Sequence, residues 1–171
     1  NTKFFYAGAN EGSGNVRGGA IFIGGEADID ISNVEVAYSR SGFYSRAWPA
    51  NLPSITDSLF NYNLLWGGAI EKDKAIELVG NTFGCNGLYE TPSDTGGLDI
   101  EGNPENIFII NNNFTNNKIG LNFYNDDLDI ELNAKNNFWN AESGPWHETK
   151  NPVGAGEVIQ GNVDFDPWTQ K

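Results

Sequence analysis

The stretch Ile109-Ile110-Asn111-Asn112-Asn113-Phe114 decides the fold, because the same phrase returns along the chain. It contains an apolar residue, a polar turn cluster rich in asparagine, and a closing apolar or aromatic residue. Earlier copies close at Val36, Phe60 and Phe83, and a copy one residue looser, Leu132–Phe138, closes at Phe138. The closing residues are separated by 24, 23, 31 and 24 positions. Repetition at this period predicts a solenoid, in which each unit buries its apolar face by stacking on its neighbours.

Each repeat carries two short stretches in which apolar and polar residues alternate. One follows glycine, as in Gly97-Leu98-Asp99-Ile100-Glu101, and the other precedes the polar cluster, as in Asn106-Ile107-Phe108-Ile109. Alternation with a period of two places aliphatic side chains on one face of a strand and polar side chains on the other. Because each strand recurs once per repeat in the same chain direction, stacking like on like predicts parallel sheets along a coil.

Asparagine suits the corners between these strands. Its short amide tolerates left-handed backbone and can hydrogen-bond to the same residue one coil along. We therefore predict two corner columns. The first contains Asn81, Asn112 and Asn136, and the second contains Ser39, Asn63, Asn86 and Asn117.

The phrases over roughly residues 16–140 resemble the right-handed parallel β-helix family, the pectin-lyase-like superfold of secreted carbohydrate-active and surface proteins. A second likeness lies in Asn136–Asn140, Ser143–His147 and Val163–Trp168, which look like the segment that closes many of these β-helices. The resemblance implies an all-β, right-handed parallel β-helix (solenoid) of about six coils. It also implies coils over residues 1–140 and a capping tail over 141–171. Since Phe4-Phe5-Tyr6 has the character of coil interior, we expect further coils or a domain N-terminal to Asn1.

The charge of the chain restricts its partners. Its 171 residues include 10 Lys and Arg against 23 Asp and Glu, a net charge of −13. Such a surface repels nucleic-acid phosphates and anionic membranes, and the apolar runs are too short to span a bilayer. We therefore expect no nucleic acid partner and no membrane insertion. The resemblance implies an extracellular, secreted or cell-surface location, with the periplasm as a variant. Cys85 and His147 are each the only residue of their type; we interpret Cys85 as a small buried filler and His147 as structural.

Aromatic residues are the strongest functional indication. Several fall at positions predicted to lie outward or in loops: Tyr44, Trp48, Trp66, Tyr89 and Tyr124. An exposed ring offers its apolar face to the C–H surface of a sugar, and rings spaced along a coil can follow an extended polymer. Tyr44, Trp48 and Tyr89 adjoin two irregular segments, so we expect binding there. The alternative is that each ring packs beneath an adjacent loop.

Carboxylates on alternate strand positions supply a second indication. Asp99 and Glu101 point the same way and adjoin the loop around residues 88–95, so they are our candidate calcium ligands. The resemblance adds that pectate and alginate lyases of this superfold hold calcium on outward aspartates. The alternative for these acids is a solvated strand face. If the chain is catalytic, Asp99, Glu101 and Arg46 are the candidate residues of a lyase or hydrolase.

Three functions follow from these patterns. The leading hypothesis is a non-catalytic extracellular module that binds a polysaccharide or cell-surface glycan through aromatic side chains and acidic edges. The second hypothesis is a fragment of a polysaccharide lyase or glycoside hydrolase. The third is a structural spacer without a ligand.

Overall fold

The computed structural model describes residues 2–5, 19–48, 50, 52–88, 95–127 and 129–170. These ranges form strands, and they contain no helix that is long and apolar enough to cross a membrane. The strands are β1 (Thr2–Phe5), β2 (Gly19–Ile23), β3 (Asp30–Ser32), β4 (Val34–Ala37), β5 (Ser41–Ser45), β6 (Ser54–Thr56), β7 (Leu59–Asn61), β8 (Trp66–Ile70), β9 (Ile76–Val79), β10 (Thr82–Gly84), β11 (Gly96–Glu101), β12 (Ile107–Ile110), β13 (Asn113–Thr115), β14 (Leu121–Tyr124), β15 (Leu132–Asn133), β16 (Ile159–Gln160) and β17 (Val163–Asp164).

Three parallel sheets run along the coil. The first sheet has the order β1-β4-β7-β10-β13, the second β16-β14-β11-β8-β5-β2, and the third β12-β9-β6-β3. A short parallel pair, β15 with β17, follows the third sheet. Partner strands occupy equivalent places in consecutive repeats, so the predicted all-β parallel solenoid is confirmed. The handedness of the coil and the domain boundary at residue 140 stay predictions.

An aromatic column fills the interior behind the first sheet. Phe60, Phe83 and Phe114 are paired in register, and their ring centroids are separated by 5.4 and 5.2 Å. The column ends on the fully buried Trp139, whose ring stacks on Phe114 with a centroid separation of 4.4 Å. The prediction that Phe138 closes the last repeat is therefore wrong. Phe138 lies opposite Asn113 instead, and a shift of one residue moves a side chain to the other face of a strand.

Glycines of the second sheet make room for this aromatic column. A Cβ atom on Gly42 would lie 2.6 Å from the Phe60 ring, and one on Gly67 would lie 2.8 Å from the Phe83 ring. Any larger residue would displace the rings, because interiors are packed at crystal-like density. This steric requirement explains the glycines that recur at the start of the strands.

One asparagine ladder joins the third sheet to the first. Asn81 donates from its backbone N and its Nδ2 to Asn112 Oδ1, at 2.9 and 3.2 Å. Asn112 donates in the same way to Asn137 Oδ1, at 2.8 and 3.1 Å. The prediction that Asn136 is the third member is wrong, because the register of this repeat is shifted by one residue, as it is at Phe138. Asn136 instead takes the left-handed turn position, with φ of 59°.

The second ladder has the predicted members. Ser39 N donates to Asn63 Oδ1 at 3.1 Å. Asn63 N donates to Asn86 Oδ1, and Asn86 N to Asn117 Oδ1, each at 3.0 Å. The residue before each amide has positive φ, so the tight turn and the ladder use neighbouring residues. Cys85, before Asn86, has φ of 55° and is half-buried. It is a turn residue and not the buried filler expected from the sequence.

Candidate functional site

An exposed aromatic group lies on the outer face of the second sheet. Phe22 on β2 and Tyr44 on β5 are register partners, and their ring centroids are 6.0 Å apart. Their neighbours Ile21 and Ile23 pack with the core cluster, so period-two alternation turns Phe22 outward. Phe22 is 61% exposed. The two rings therefore form a continuous apolar strip across adjacent coils.

Trp48 extends this strip beyond the end of β5. Its backbone N donates to the Gly25 carbonyl oxygen at 2.8 Å, which attaches the segment to the coil before it. A Cβ atom on Gly25 would lie 4.0 Å from the Trp48 ring, and one on Gly24 would lie 3.0 Å from the Phe22 ring. Phe22 and Trp48 thus lie over adjacent glycines, and Trp48 is 51% exposed. We call Phe22, Tyr44 and Trp48 the aromatic surface.

An ion pair borders the aromatic surface. Arg46 lies between Tyr44 and Trp48 in the chain, and its Nε is 2.5 Å from Glu71 Oε2 on the next coil. The backbone N of Glu71 also donates to the Ser45 carbonyl at 3.0 Å, so the pair connects two coils. This arrangement leaves hydrogen-bonding groups beside apolar rings. It is a combination suited to a ligand that has both hydroxyl groups and C–H faces.

The acids predicted to bind calcium have mixed environments. Asp99 is only 3% exposed, and it accepts a hydrogen bond from Asn122 Nδ2 at 2.9 Å on the adjacent strand β14. Glu101 lies two residues further along β11 and is partly exposed. Across the described ranges, no three His, Cys, Asp or Glu side chains are grouped as a metal site would require. Calcium binding by Asp99 and Glu101 therefore remains a prediction.

Two of the alternative catalytic residues, Arg46 and Glu101, lie in one column but not side by side. Ser45 pairs with Ile70, and Ile70 pairs with Ile100, so Arg46, Glu71 and Glu101 occupy successive coils. Two strand spacings of ~4.8 Å separate the backbone of Arg46 from that of Glu101. Arg46 is also engaged by Glu71. The structure brings Asp99 and Glu101 onto one strand and places Arg46 about two coils away.

The remaining aromatic candidates have different locations. Tyr124 is exposed on β14, three strands from Tyr44, and its hydroxyl donates to Asp126 Oδ1 at 2.9 Å. This hydrogen bond and the negative charge of Asp126 raise the pKa of Tyr124 above its usual value. Trp66 is buried, so the expectation of an outward ring is wrong there. Tyr89 lies outside the described residues.

The tail uses the only histidine for its own packing. His147 is buried, and its Nε2 is 3.0 Å from the Gly161 carbonyl oxygen. Its Nδ1 accepts from the backbone N of Thr149 at 3.3 Å and of Lys150 at 3.2 Å. These contacts agree with the structural role predicted for His147.

Sequence reasoning missed Phe22 and a second exposed apolar pair, Phe108 and Ile110 on β12. The strand alternation itself places all of these side chains outward, so the signal was present. Comparisons with protein-family models, curated proteins and solved structures find no match to this chain. Membership of the pectin-lyase-like superfold therefore remains a prediction, whereas the parallel solenoid follows from the strand pairing.

Proposed function

We propose that this chain is a non-catalytic glycan-binding module that holds a polysaccharide against its aromatic surface. The observation that carries the proposal is the adjacency of exposed Phe22 and Trp48 and half-buried Tyr44 on two consecutive coils. Sugar rings present C–H faces that pack on aromatic side chains, while their hydroxyl groups need polar partners at the edge. The ion pair of Arg46 and Glu71 supplies such partners.

The scaffold favours binding because two of the rings are mounted on paired strands. Phe22 and Tyr44 belong to β2 and β5, which are hydrogen-bonded in register. Side chains held on rigid elements lose little conformational entropy when a ligand binds. Successive strands are ~4.8 Å apart, so rings on neighbouring coils follow an extended chain of sugars.

The charge of the chain favours a neutral glycan. A net charge of −13 opposes the approach of a polyuronate, whereas it has little effect on an uncharged polysaccharide. We also propose an extracellular or cell-surface location, because such polysaccharides are found outside cells. The expectation of a lyase or hydrolase has no specific geometric support at Asp99, Glu101 and Arg46.

Affinity electrophoresis on a panel of polysaccharides tests the proposal. The panel contains neutral glucans, xylans and mannans together with pectate and alginate, each with and without calcium. We expect retardation in at least one neutral gel, and its loss in the triple variant Phe22→Ala, Tyr44→Ala, Trp48→Ala. Equal retardation of wild type and triple variant would exclude the aromatic surface. Release of reducing ends or unsaturated products would overturn the non-catalytic assignment.

A further inference from the structure

The sequence contains a single Asn-Gly dipeptide, Asn86-Gly87, and it lies at a corner of the coil. In an unstructured chain, an asparagine before glycine deamidates faster than other asparagines, because glycine has no Cβ atom to shield its backbone N. Asn86 is also an interior member of the second ladder, and both residues are buried. The asparagine that is chemically most reactive is therefore one on which the ladder depends.

Deamidation requires both residues of the dipeptide to be free of other contacts. The backbone N of Gly87 attacks Cγ of Asn86, a bond forms between these two atoms, and the Cγ–Nδ2 bond breaks. The proton of the Gly87 amide leaves with Nδ2 as ammonia. Water then opens the cyclic imide at either of its carbonyl groups, which gives aspartate or isoaspartate.

The attacking nitrogen is held by the preceding coil. Gly87 N donates to the Asn63 carbonyl oxygen at 3.0 Å. Gly87 has φ of 74°, and a Cβ atom on it would lie 2.6 Å from the carbonyl carbon of Thr95. Thr95 Oγ1 also donates to the Gly87 carbonyl oxygen at 3.2 Å. Backbone packed this closely cannot turn its nitrogen toward the Asn86 side chain without losing these contacts.

The side-chain amide of Asn86 is held from both sides. Its Oδ1 accepts from the backbone N and the Nδ2 of Asn63, each at 3.0 Å. Its Nδ2 donates to the Phe60 carbonyl oxygen at 2.9 Å and to Asn117 Oδ1 at 3.0 Å. Rotation of the amide toward Gly87 would leave these buried donors and acceptors without partners. The reaction therefore requires this part of the coil to open.

The products of deamidation do not fit the ladder. Aspartate at this position has no amide N–H, so a carboxylate oxygen would face two acceptors, the Phe60 carbonyl and Asn117 Oδ1. A buried carboxylate opposed to two acceptors is unfavourable. Isoaspartate lengthens the main chain by one carbon immediately before Gly87, where the backbone is already crowded by Thr95. Neither product can rebuild the contacts of Asn86.

We propose that Asn86-Gly87 is a covalent modification site that is closed in the native coil and open in the unfolded chain. Deamidation there makes unfolding irreversible, because the modified chain cannot rebuild the second ladder. Chemical modification of the unfolded state is one cause of irreversible unfolding and makes stability a matter of rates. The modification thus marks molecules that have been unfolded and keeps them out of the native population. It concerns the scaffold and is independent of glycan binding.

Peptide mapping by mass spectrometry, after incubation at mildly alkaline pH, measures the rate of deamidation at Asn86. We expect a rate at least about a hundredfold lower in buffer than in concentrated guanidinium chloride, because few native molecules are unfolded. Asn117→Ala removes an acceptor of Asn86 Nδ2 and should raise the rate in buffer at least about tenfold more than Asn112→Ala does. Asn112→Ala is the matched control, since Asn112 is a fully buried amide of the other ladder.

Refolding measures the consequence of the modification. Wild type is held in guanidinium chloride at mildly alkaline pH, where the reaction proceeds, or at mildly acidic pH, where it is slow. Both samples are then diluted into the same buffer. We expect the acid-held sample to refold, and the refolded fraction of the alkaline-held sample to be depleted of chains modified at Asn86.

Three results would overturn the proposal. The first is an equal rate of deamidation at Asn86 in buffer and in guanidinium chloride, which needs wild type alone. The second is equal acceleration by Asn117→Ala and Asn112→Ala, with thermal melting used to show that both variants are folded. The third is a refolded fraction that contains modified and unmodified chains in the proportion present before dilution.

Discussion

Asn117 donates to the carboxylate of Glu157 from two nitrogen atoms, its backbone N at 3.1 Å and its Nδ2 at 3.2 Å from Oε2. Glu157 thereby takes the place of the next asparagine in the second ladder. An acceptor is required there because the upstream asparagines Asn63 and Asn86 each donate twice in the same direction. Glu157 is only 5% exposed, and its burial raises the pKa of the carboxyl to about 7. The hydrogen bonds from Asn117 and Asn116 oppose this shift without cancelling it.

The first prediction concerns stability against pH. Because the folded-state pKa of Glu157 lies above the ordinary 4.5, the native state binds the proton more tightly than the unfolded chain. The stabilisation that this proton gives the native state is complete at acidic pH, and it is lost as the pH rises from about 4.5 through about 7. The difference between the ordinary pKa and the folded-state pKa of Glu157 corresponds to about 3 kcal/mol in the free energy of unfolding.

Glu157→Gln removes the charge and keeps an amide oxygen for Asn117, as in the rest of the ladder. We therefore expect urea unfolding of this variant to depend less on pH between 5 and 8 than that of wild type. The variant should be the more stable protein at pH 8. Identical pH profiles for the two proteins would contradict the role of the buried carboxyl.

The second prediction concerns the interior of the ladder. Asn86 donates from Nδ2 to the Phe60 carbonyl at 2.9 Å and to Asn117 Oδ1 at 3.0 Å, and it accepts from Asn63. Asn86→Ala leaves several buried polar groups without partners, so we expect a loss of about 2–4 kcal/mol in unfolding free energy. Asn133→Ala is the control, since exposed Asn133 accepts one bond from Lys135 N. Losses of similar size in both variants would show that the ladder has no special importance.

The third prediction tests which aromatic residue closes the last repeat. Trp139 is fully buried against Phe114, whereas Phe138 is half-buried opposite Asn113. Trp139→Ala should cost about 3–5 kcal/mol in unfolding free energy, and Phe138→Ala clearly less. The reverse order would restore the register in which Phe138 faces the core.

The fourth prediction concerns Tyr124. Its hydrogen bond to Asp126 and the charge of Asp126 raise the pKa of the phenol. Asp126→Asn should lower the pKa of Tyr124 toward the ordinary pKa of tyrosine, as measured by ultraviolet difference absorption. Asp129→Asn, which changes a nearby acid that is not bonded to Tyr124, is the control. An unchanged titration in Asp126→Asn would disprove the contact.

The repeat pattern was sufficient to predict the solenoid, because alternation and corner asparagines are local signals. It failed by one residue at Phe138 and Trp139, since adjacent aromatic residues both fit a closing position and only packing distinguishes them. The pairing of Asn117 with Glu157 had no local signal at all, because the two residues are 40 positions apart. Among the binding candidates, Tyr44 and Trp48 were predicted to lie on the surface. Phe22, the register partner of Tyr44, was not among these candidates.

The most direct test of the glycan-binding account is calorimetric titration with an oligosaccharide from the neutral polysaccharide that binds best. Trp48→Ala should weaken binding at least about tenfold, because an exposed stacking ring is lost. Tyr38→Ala is the matched control, since Tyr38 is 49% exposed against 51% for Trp48 and stacks on Tyr62 at a different corner. That control should bind as wild type. Equal affinities for wild type and Trp48→Ala, or a loss confined to Tyr38→Ala, would contradict the assignment of the aromatic surface.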